Sequence, residues 1–209
     1  MAYANTFFDN LITPVYPSVN RNGLWGTRAM KGIIFTELFD LVEQAFGYEI
    51  SERLLDECDL PSGGVYTSVG TYDHTEILAL VGHLSKLTDI PAPQLLITYG
   101  KYIFSKLHAQ LDTMGLTFDN SFSLFSALDD IIHPEVLKLY PDAELPTFSA
   151  QRLNDDQLKL VYRSCRPFAH MAEGLILGCG DHYGEGLTVD LSHLNDNNDP
   201  RTDITITRQ

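Results

Sequence analysis

Past Pro146 the apolar residues stop recurring every three or four positions and start recurring every second one, and that switch limits what this chain can fold into. Before it, Phe35, Leu38, Phe39, Val42 and Phe46 keep helical spacing until Gly47 stops the run. Residues 50–60 read as a short second helix ended by Pro61 and the Gly63-Gly64 turn. Residues 75–87 and roughly 94–111 predict two more helices, and 122–140 a further helical stretch carrying His133. After the switch, 147–153 and 157–165 predict strands, and 168–183 a helix rich in glycine and other small residues. Residues 186–191 and 202–207 close as two more strands, joined by the turn-rich segment 195–200. The expected class is α+β: a mainly helical N-terminal half packed on a C-terminal antiparallel sheet with one inserted helix.

The 209 residues suffice for one domain with a substantial core. Residues 1–29 are punctuated by Pro, Asn and Gly without sustained periodicity, and patterning begins at Met30. The expected division is therefore an N-terminal extension, 1–29, outside a core domain at 30–209. Twenty-eight acidic residues against fourteen basic ones leave a net charge of −14. That balance argues against nucleic acid and anionic membrane surfaces, which select basic patches. No apolar run approaches the ~20 residues needed to cross a bilayer, and residues 1–29 lack the basic start and apolar run of a secretory signal. Cys58, Cys165 and Cys179 are odd in number and form no CxxC pair, so a cytoplasmic setting is expected.

Two features carry chemistry. Along the strand expected at 157–165, Tyr162, Ser164 and Arg166 fall at every second position and would share a face. A phenol, a hydroxyl and a guanidinium fork on one spot suit carboxylates. The second is His133, which ends an apolar helical run with Leu128, Ile131 and Ile132. An imidazole there is either a satisfied core residue or a metal ligand. No His or Cys stands at zinc spacing from it, so a metal bound here would bring its other ligands along. Haem iron does so, since the porphyrin supplies four nitrogens, and its two propionates would give Tyr162, Ser164 and Arg166 a target. His74, His108, His182 and His193 read as exposed, His83 as surface or boundary, and the cysteines at 165 and 179 as small buried hydrophobes.

The start Met30-Lys31-Gly32-Ile33-Ile34-Phe35, the isolated histidine in Asp130-Ile131-Ile132-His133-Pro134-Glu135 and the Tyr-x-Ser-x-Arg of 162–166 resemble the haem–nitric oxide/oxygen-binding (H-NOX) domains. These are relatives of the haem domain of soluble guanylate cyclase, and the likeness covers about residues 30–209. It implies haem b lying between the helical half and the sheet, with His133 as proximal iron ligand and Tyr162, Ser164 and Arg166 on the propionates. It further implies that Pro146 and Ile34 press on the porphyrin, while Leu38, Ile103, Leu107, Met171 and Leu175 face the pocket.

Relatives that hold dioxygen stably carry a tyrosine where this chain has Met171. Methionine has no proton to give to the negative oxygen of bound dioxygen. The resemblance therefore implies a nitric oxide sensor, with carbon monoxide as a second candidate gas and no stable dioxygen binding. Its signal would arise when the bond from iron to His133 weakens and the porphyrin relaxes. Its output would pass to a separate histidine kinase or cyclic-di-GMP enzyme. The tail from Leu191 to Gln209 holds His193 but no cysteine, so no zinc site is expected there. Two other readings stay open: a haem enzyme, such as a peroxidase or a nitric-oxide-consuming dioxygenase, and a haem-free module using Tyr162, Ser164 and Arg166 on another carboxylate ligand.

Overall fold

A computed structural model describes residues 29–196 and 199–209, with the backbone alone at 193–196 and 199–200. The expected extension, save Ala29, and the side chain of His193 lie outside the described residues. Those described form an α+β protein that divides into two compact units between Tyr99 and Gly100, inside the helix α4 (Ala92–Thr113).

In the first unit, β1 (Ala29–Lys31) pairs antiparallel with β2 (Thr71–Asp73). Three-residue strands are too short to show a period, so neither was expected. Helix α1 (Ile33–Phe46) buries Phe35, Leu38 and Val42, the apolar stripe its spacing predicts. Helix α2 (Tyr48–Glu57) ends sooner than expected, with Cys58 already extended. Asp56 and Glu57 crowd its C-terminus with no basic residue in the last turn, where the helix dipole disfavours anions. Helix α3 (Thr75–Thr88) follows, and its buried Glu76 carboxylate accepts from Tyr66 Oη at 2.7 Å and Ser62 Oγ at 2.5 Å.

The second unit holds the rest of α4, then α5 (Ser121–Ser126), a π-helical turn (Leu128–Ile132) and α6 (His133–Leu139). The expected helical stretch is thus broken into three. Asn120 starts α5 with a reciprocal cap, its Oδ1 accepting from the Ser123 N–H at 3.0 Å while Ser123 Oγ accepts from the Asn120 N–H at 3.2 Å. The widened turn has a cause in Pro134: proline has no N–H, and its ring clashes with the carbonyl four residues back in a regular helix. The strain is met by i→i+5 pairing, Ile132 N–H to the Ala127 carbonyl at 3.0 Å and His133 N–H to that of Leu128.

The sheet runs β3 (Thr147–Arg152), β4 (Gln157–Arg163), β6 (Asp199–Arg208), β5 (Leu187–Asp196), antiparallel throughout, with α7 (Ala169–Tyr183) between β4 and β5 in sequence. Strand β4 alternates as its sequence predicts, burying Leu158, Leu160 and Tyr162. These join Ile204 and Ile206 of β6 and Ala172, Ile176 and Cys179 of α7 in one core. Each large aliphatic side chain there contributes about 1.5–3 kcal/mol. Strands β5 and β6 outrun their expected limits: Asn195 pairs with Pro200 and Asp196 with Asp199. Pro200 is tolerated because β4 stops pairing at Arg201, so its missing N–H breaks no bond on that side.

Candidate functional site

His133 opens α6 directly after the π turn. Its Nδ1 lies 2.9 Å from Asp129 Oδ1. A carboxylate only accepts, so Nδ1 is the donor there, and in the neutral imidazole Nε2 carries the lone pair. The other Asp129 oxygen, Oδ2, accepts from the Phe148 N–H of β3 at 2.9 Å. Asp129 was not among the residues singled out from sequence, although its spacing of four before His133 was a usable signal. Among the described residues no group of three His, Cys, Asp or Glu side chains could hold a metal ion. A metal at His133 would have to bring ligands with it, as a porphyrin does.

The ring of Phe148 stands between the two expected halves of the site, 5.9 Å from that of His133 and 5.3 Å from that of Tyr162, its register partner on β4. Tyr162 is buried on the strand, but the expected single face of three donors needs correcting, because β4 ends at Arg163. Ser164 and Arg166 occupy the turn beyond, where Ser164 Oγ accepts from the Arg166 N–H at 3.0 Å and the Arg166 carbonyl from the Phe168 N–H at 2.9 Å. From the turn the Arg166 charge still acts on the Tyr162 phenol. That guanidinium is buried and grips Glu144, through Nη1 to its carbonyl at 2.9 Å and Nη2 to its carboxylate at 3.2 Å. A donor set already holding one carboxylate fits haem propionates, and an imidazole whose Nδ1 is held by a carboxylate fits its iron. Pro146, partly buried, immediately precedes β3.

Burial pushes the Tyr162 phenol up to about 12, the Ser164 hydroxyl and the Arg166 charge pulling the other way. The phenol therefore remains a donor at physiological pH. Unfolded, it ionises near its ordinary value of about 10. Below that pH both states keep the proton; above it only the folded state does, so stability falls by about 1.4 kcal/mol per pH unit until the folded value is passed. In urea titrations at about pH 9 and about pH 11.5, the wild type is expected to lose about 2 kcal/mol more than Tyr162→Phe. Equal losses would show a phenol exposed to solvent. The Cys165 and Cys179 thiols are also pushed up, mainly by burial, and Cys179 lies fully inside the core.

Four of the residues expected to face the gas, Ile103, Leu107, Met171 and Leu175, lie on α4 and α7, which run parallel. The two backbones come very close: a Cβ on Gly100 would lie 2.3 Å from the Met171 carbonyl oxygen, and one on Gly178 2.9 Å from Phe104 Cβ. Ile103 and Met171 are buried, while Leu107 and Leu175 are partly so. The neighbouring residues with donors make contacts of their own. His170 Nδ1 lies 3.1 Å from Glu173 Oε2, and the Tyr102 ring lies under Lys106 Nζ at 5.6 Å. Further along the same pair of helices the rings of His108 and His182 meet at a tilt of 41° with centroids 4.0 Å apart, and His108 is part-buried rather than exposed. His74, also expected at the surface, is buried beside Asp73.

Ile34 and Leu38 belong to the other unit, four residues apart on α1. The Ile34 carbonyl accepts from Tyr99 Oη, a buried donor not anticipated from sequence. Leu38 lines an apolar cavity of about 140 Å³ with Val42, Leu84, Leu95 and Tyr99.

A family model described as Haem-NO-binding matches residues 31–191. Among solved structures, an H-NOX protein from Shewanella woodyi, bound to IWP-051 in the Fe(II)CO state, is 42% identical with a TM-score of 0.72. The alignment covers 86% of this chain and 95% of that one. The Fe(II) unliganded H-NOX protein from K. algicida is 35% identical, TM-score 0.79, over 86% and 97%. That from S. oneidensis in the Fe(II)NO state is 30% identical, TM-score 0.76, over 86% and 99%. No curated protein matches the chain.

Proposed function

The chain belongs to the Haem-NO-binding (H-NOX) family, haem-binding gas-sensor domains rather than enzymes, and from that premise we propose that it senses nitric oxide through haem b tethered to His133. Haem, when bound, supplies a ferrous iron to which a diatomic gas attaches directly. Everything else falls to the chain. His133 offers Nε2 because Asp129 holds the other nitrogen, and this is the observation that carries the reading. Tyr162, Ser164 and Arg166 hold the propionates, the buried arginine adding charge-assisted hydrogen bonds. Pro146 and Ile34 pack against the porphyrin. Leu38, Ile103, Leu107, Met171 and Leu175 give the gas an apolar surround.

That surround sets the choice of gas. A polarised dioxygen complex is stabilised by a buried donor, and a thioether cannot donate. His170 and Tyr102, the nearest alternatives in sequence, have partners of their own. Nitric oxide needs no donor, and carbon monoxide is the second gas. The relatives observed with Fe(II), NO and CO support this choice. The output is the release of His133, which alters the load on the π turn and α6. A separate cytoplasmic partner, a histidine kinase or a cyclic-di-GMP enzyme, reads that change.

The test is spectroscopic. Protein supplied with haemin and reduced without air is expected to show a Soret change saturating at one nitric oxide per haem. On exposure to air it is expected to oxidise with no persistent dioxygen spectrum. A stable dioxygen spectrum, or no response to nitric oxide, overturns the proposal.

A further inference from the structure

We infer that Asp129 is a positioning residue with two functions: it orients His133 for its ligand, and it is the joint through which the histidine's load reaches the sheet. The inference rests on the reading of His133 just given and extends it to a residue that does not itself touch the cofactor.

The geometry divides the work between two oxygens. Oδ1 receives Nδ1–H of His133 at 2.9 Å, and Oδ2 receives the Phe148 N–H at 2.9 Å. The first bond fixes the tautomer and the ring's rotation, and an anionic acceptor there raises the basicity of the nitrogen left to bind metal. The second bond joins the π turn to a strand 19 residues on. Phe148 adds packing to that link, its ring lying between those of His133 and Tyr162. A shift of the imidazole therefore acts on β3 by two routes, through the carboxylate and through the ring. Among the described residues β3 is an edge strand, paired with β4 alone, so it can move without dragging a second described strand.

The chain's local structure makes this joint possible. Asp129 and His133 are four apart across the junction of the π turn with α6, so both face the same way. Both side chains are largely sheltered, 22% and 16% exposed, so water competes weakly for either bond.

Asp129→Asn tests the first function with little change of shape. It still accepts from Nδ1–H but without charge, and its amide cannot accept from Phe148 as well. In haem-loaded protein the iron–histidine stretch, read by resonance Raman, is expected to move to lower frequency than in the wild type. Haem retention is expected to fall by about 10- to 100-fold. Asp129→Glu should recover part of the shift. An unchanged stretch in Asp129→Asn, with a folded circular dichroism spectrum, overturns the positioning function.

The second function is read by amide exchange at Phe148. In His133→Gly supplied with imidazole, where the iron's ligand no longer pulls on the chain, that amide is expected to exchange at least about tenfold faster than in the wild type. On an Asp129→Ala background, where only the ring route remains, the same change is expected to accelerate it clearly less. Equal acceleration on both backgrounds overturns the joint. If the wild type lacks an iron–histidine band altogether, the reading of His133 has failed; if it has one that ignores Asp129, this inference alone has failed.

Discussion

The His133→Gly variant is expected to purify without haem and to take it up only when free imidazole is supplied. The substitution removes the nitrogen that Asp129 orients, and no other His or Cys stands near enough in sequence to replace it. Failure to fold is not the expected outcome. Glycine at the start of α6 costs about 1 kcal/mol of helix propensity, and the lost hydrogen bond about 1 more. Asp129 is not stranded, because it keeps the Phe148 N–H. A loss near 2 kcal/mol is small beside the 5–15 kcal/mol typical of a folded domain. The space vacated by the ring has the shape and polarity of imidazole itself, so the free base should enter and restore the colour without reconnecting the iron to α6. Absorbance at the Soret maximum, with and without imidazole and with His83→Gly as control, measures both halves. His83 faces Glu57 at 2.8 Å on the first unit, and its loss should leave haem uptake unchanged. Full colour in His133→Gly without imidazole would end the case for that ligand.

How far such a site could be read from sequence depends on which residues carry a period. Leu158, Leu160 and Tyr162 alternate, and the structure buries all three. Extending the alternation to Ser164 and Arg166 went too far, because the ladder with β3 and β6 ends at Arg163 and nothing beyond holds the chain extended. The two residues return to Tyr162 through a turn whose bonds are local and leave no periodic trace. Pro134 was visible, but its effect was to widen the preceding turn rather than end a helix there, since i→i+5 bonds absorb the missing donor. Asp129, Glu144 and Phe148 were missed for a common reason: each acts by contact with a functional side chain, and only Asp129 lies at a spacing that betrays it. The glycines of α7 were noticed as composition. Their meaning, a close approach to α4, is a tertiary fact.

That approach makes Gly100→Ala destabilising where an exposed glycine in mid-helix would give the opposite sign. Alanine is worth about 1 kcal/mol over glycine in a helix interior when nothing opposes it. At this position the new Cβ would run into the backbone of α7: the Met171 carbonyl oxygen at 2.3 Å, Gly174 Cα at 2.8 Å and the Leu175 nitrogen at 2.8 Å. Backbone inside a helix cannot rotate aside as a side chain can, so α7 must move away as a body. It is held further along by Gly178 against Phe104 and by Lys101 Nζ on Asp181 at 2.9 Å, and moving it opens gaps around the buried Ile176 and Cys179. Overpacking of this kind costs about 1–3 kcal/mol or more, against the 1 gained. A net loss of about 2 kcal/mol should lower the melting temperature by about 4–8 °C in a chain of this length. Gly100→Leu, four times larger in side-chain carbons, should leave little folded protein at all. Ser105→Ala, exposed on the same helix, should stay within about 0.5 kcal/mol. The same displacement would carry Met171 and Leu175 away from Ile103, so gas affinity should shift in whatever folded Gly100→Ala remains. A melting temperature equal to or above the wild type's would mean that α4 and α7 do not touch at this glycine, and the apolar wall assigned to them would go with it.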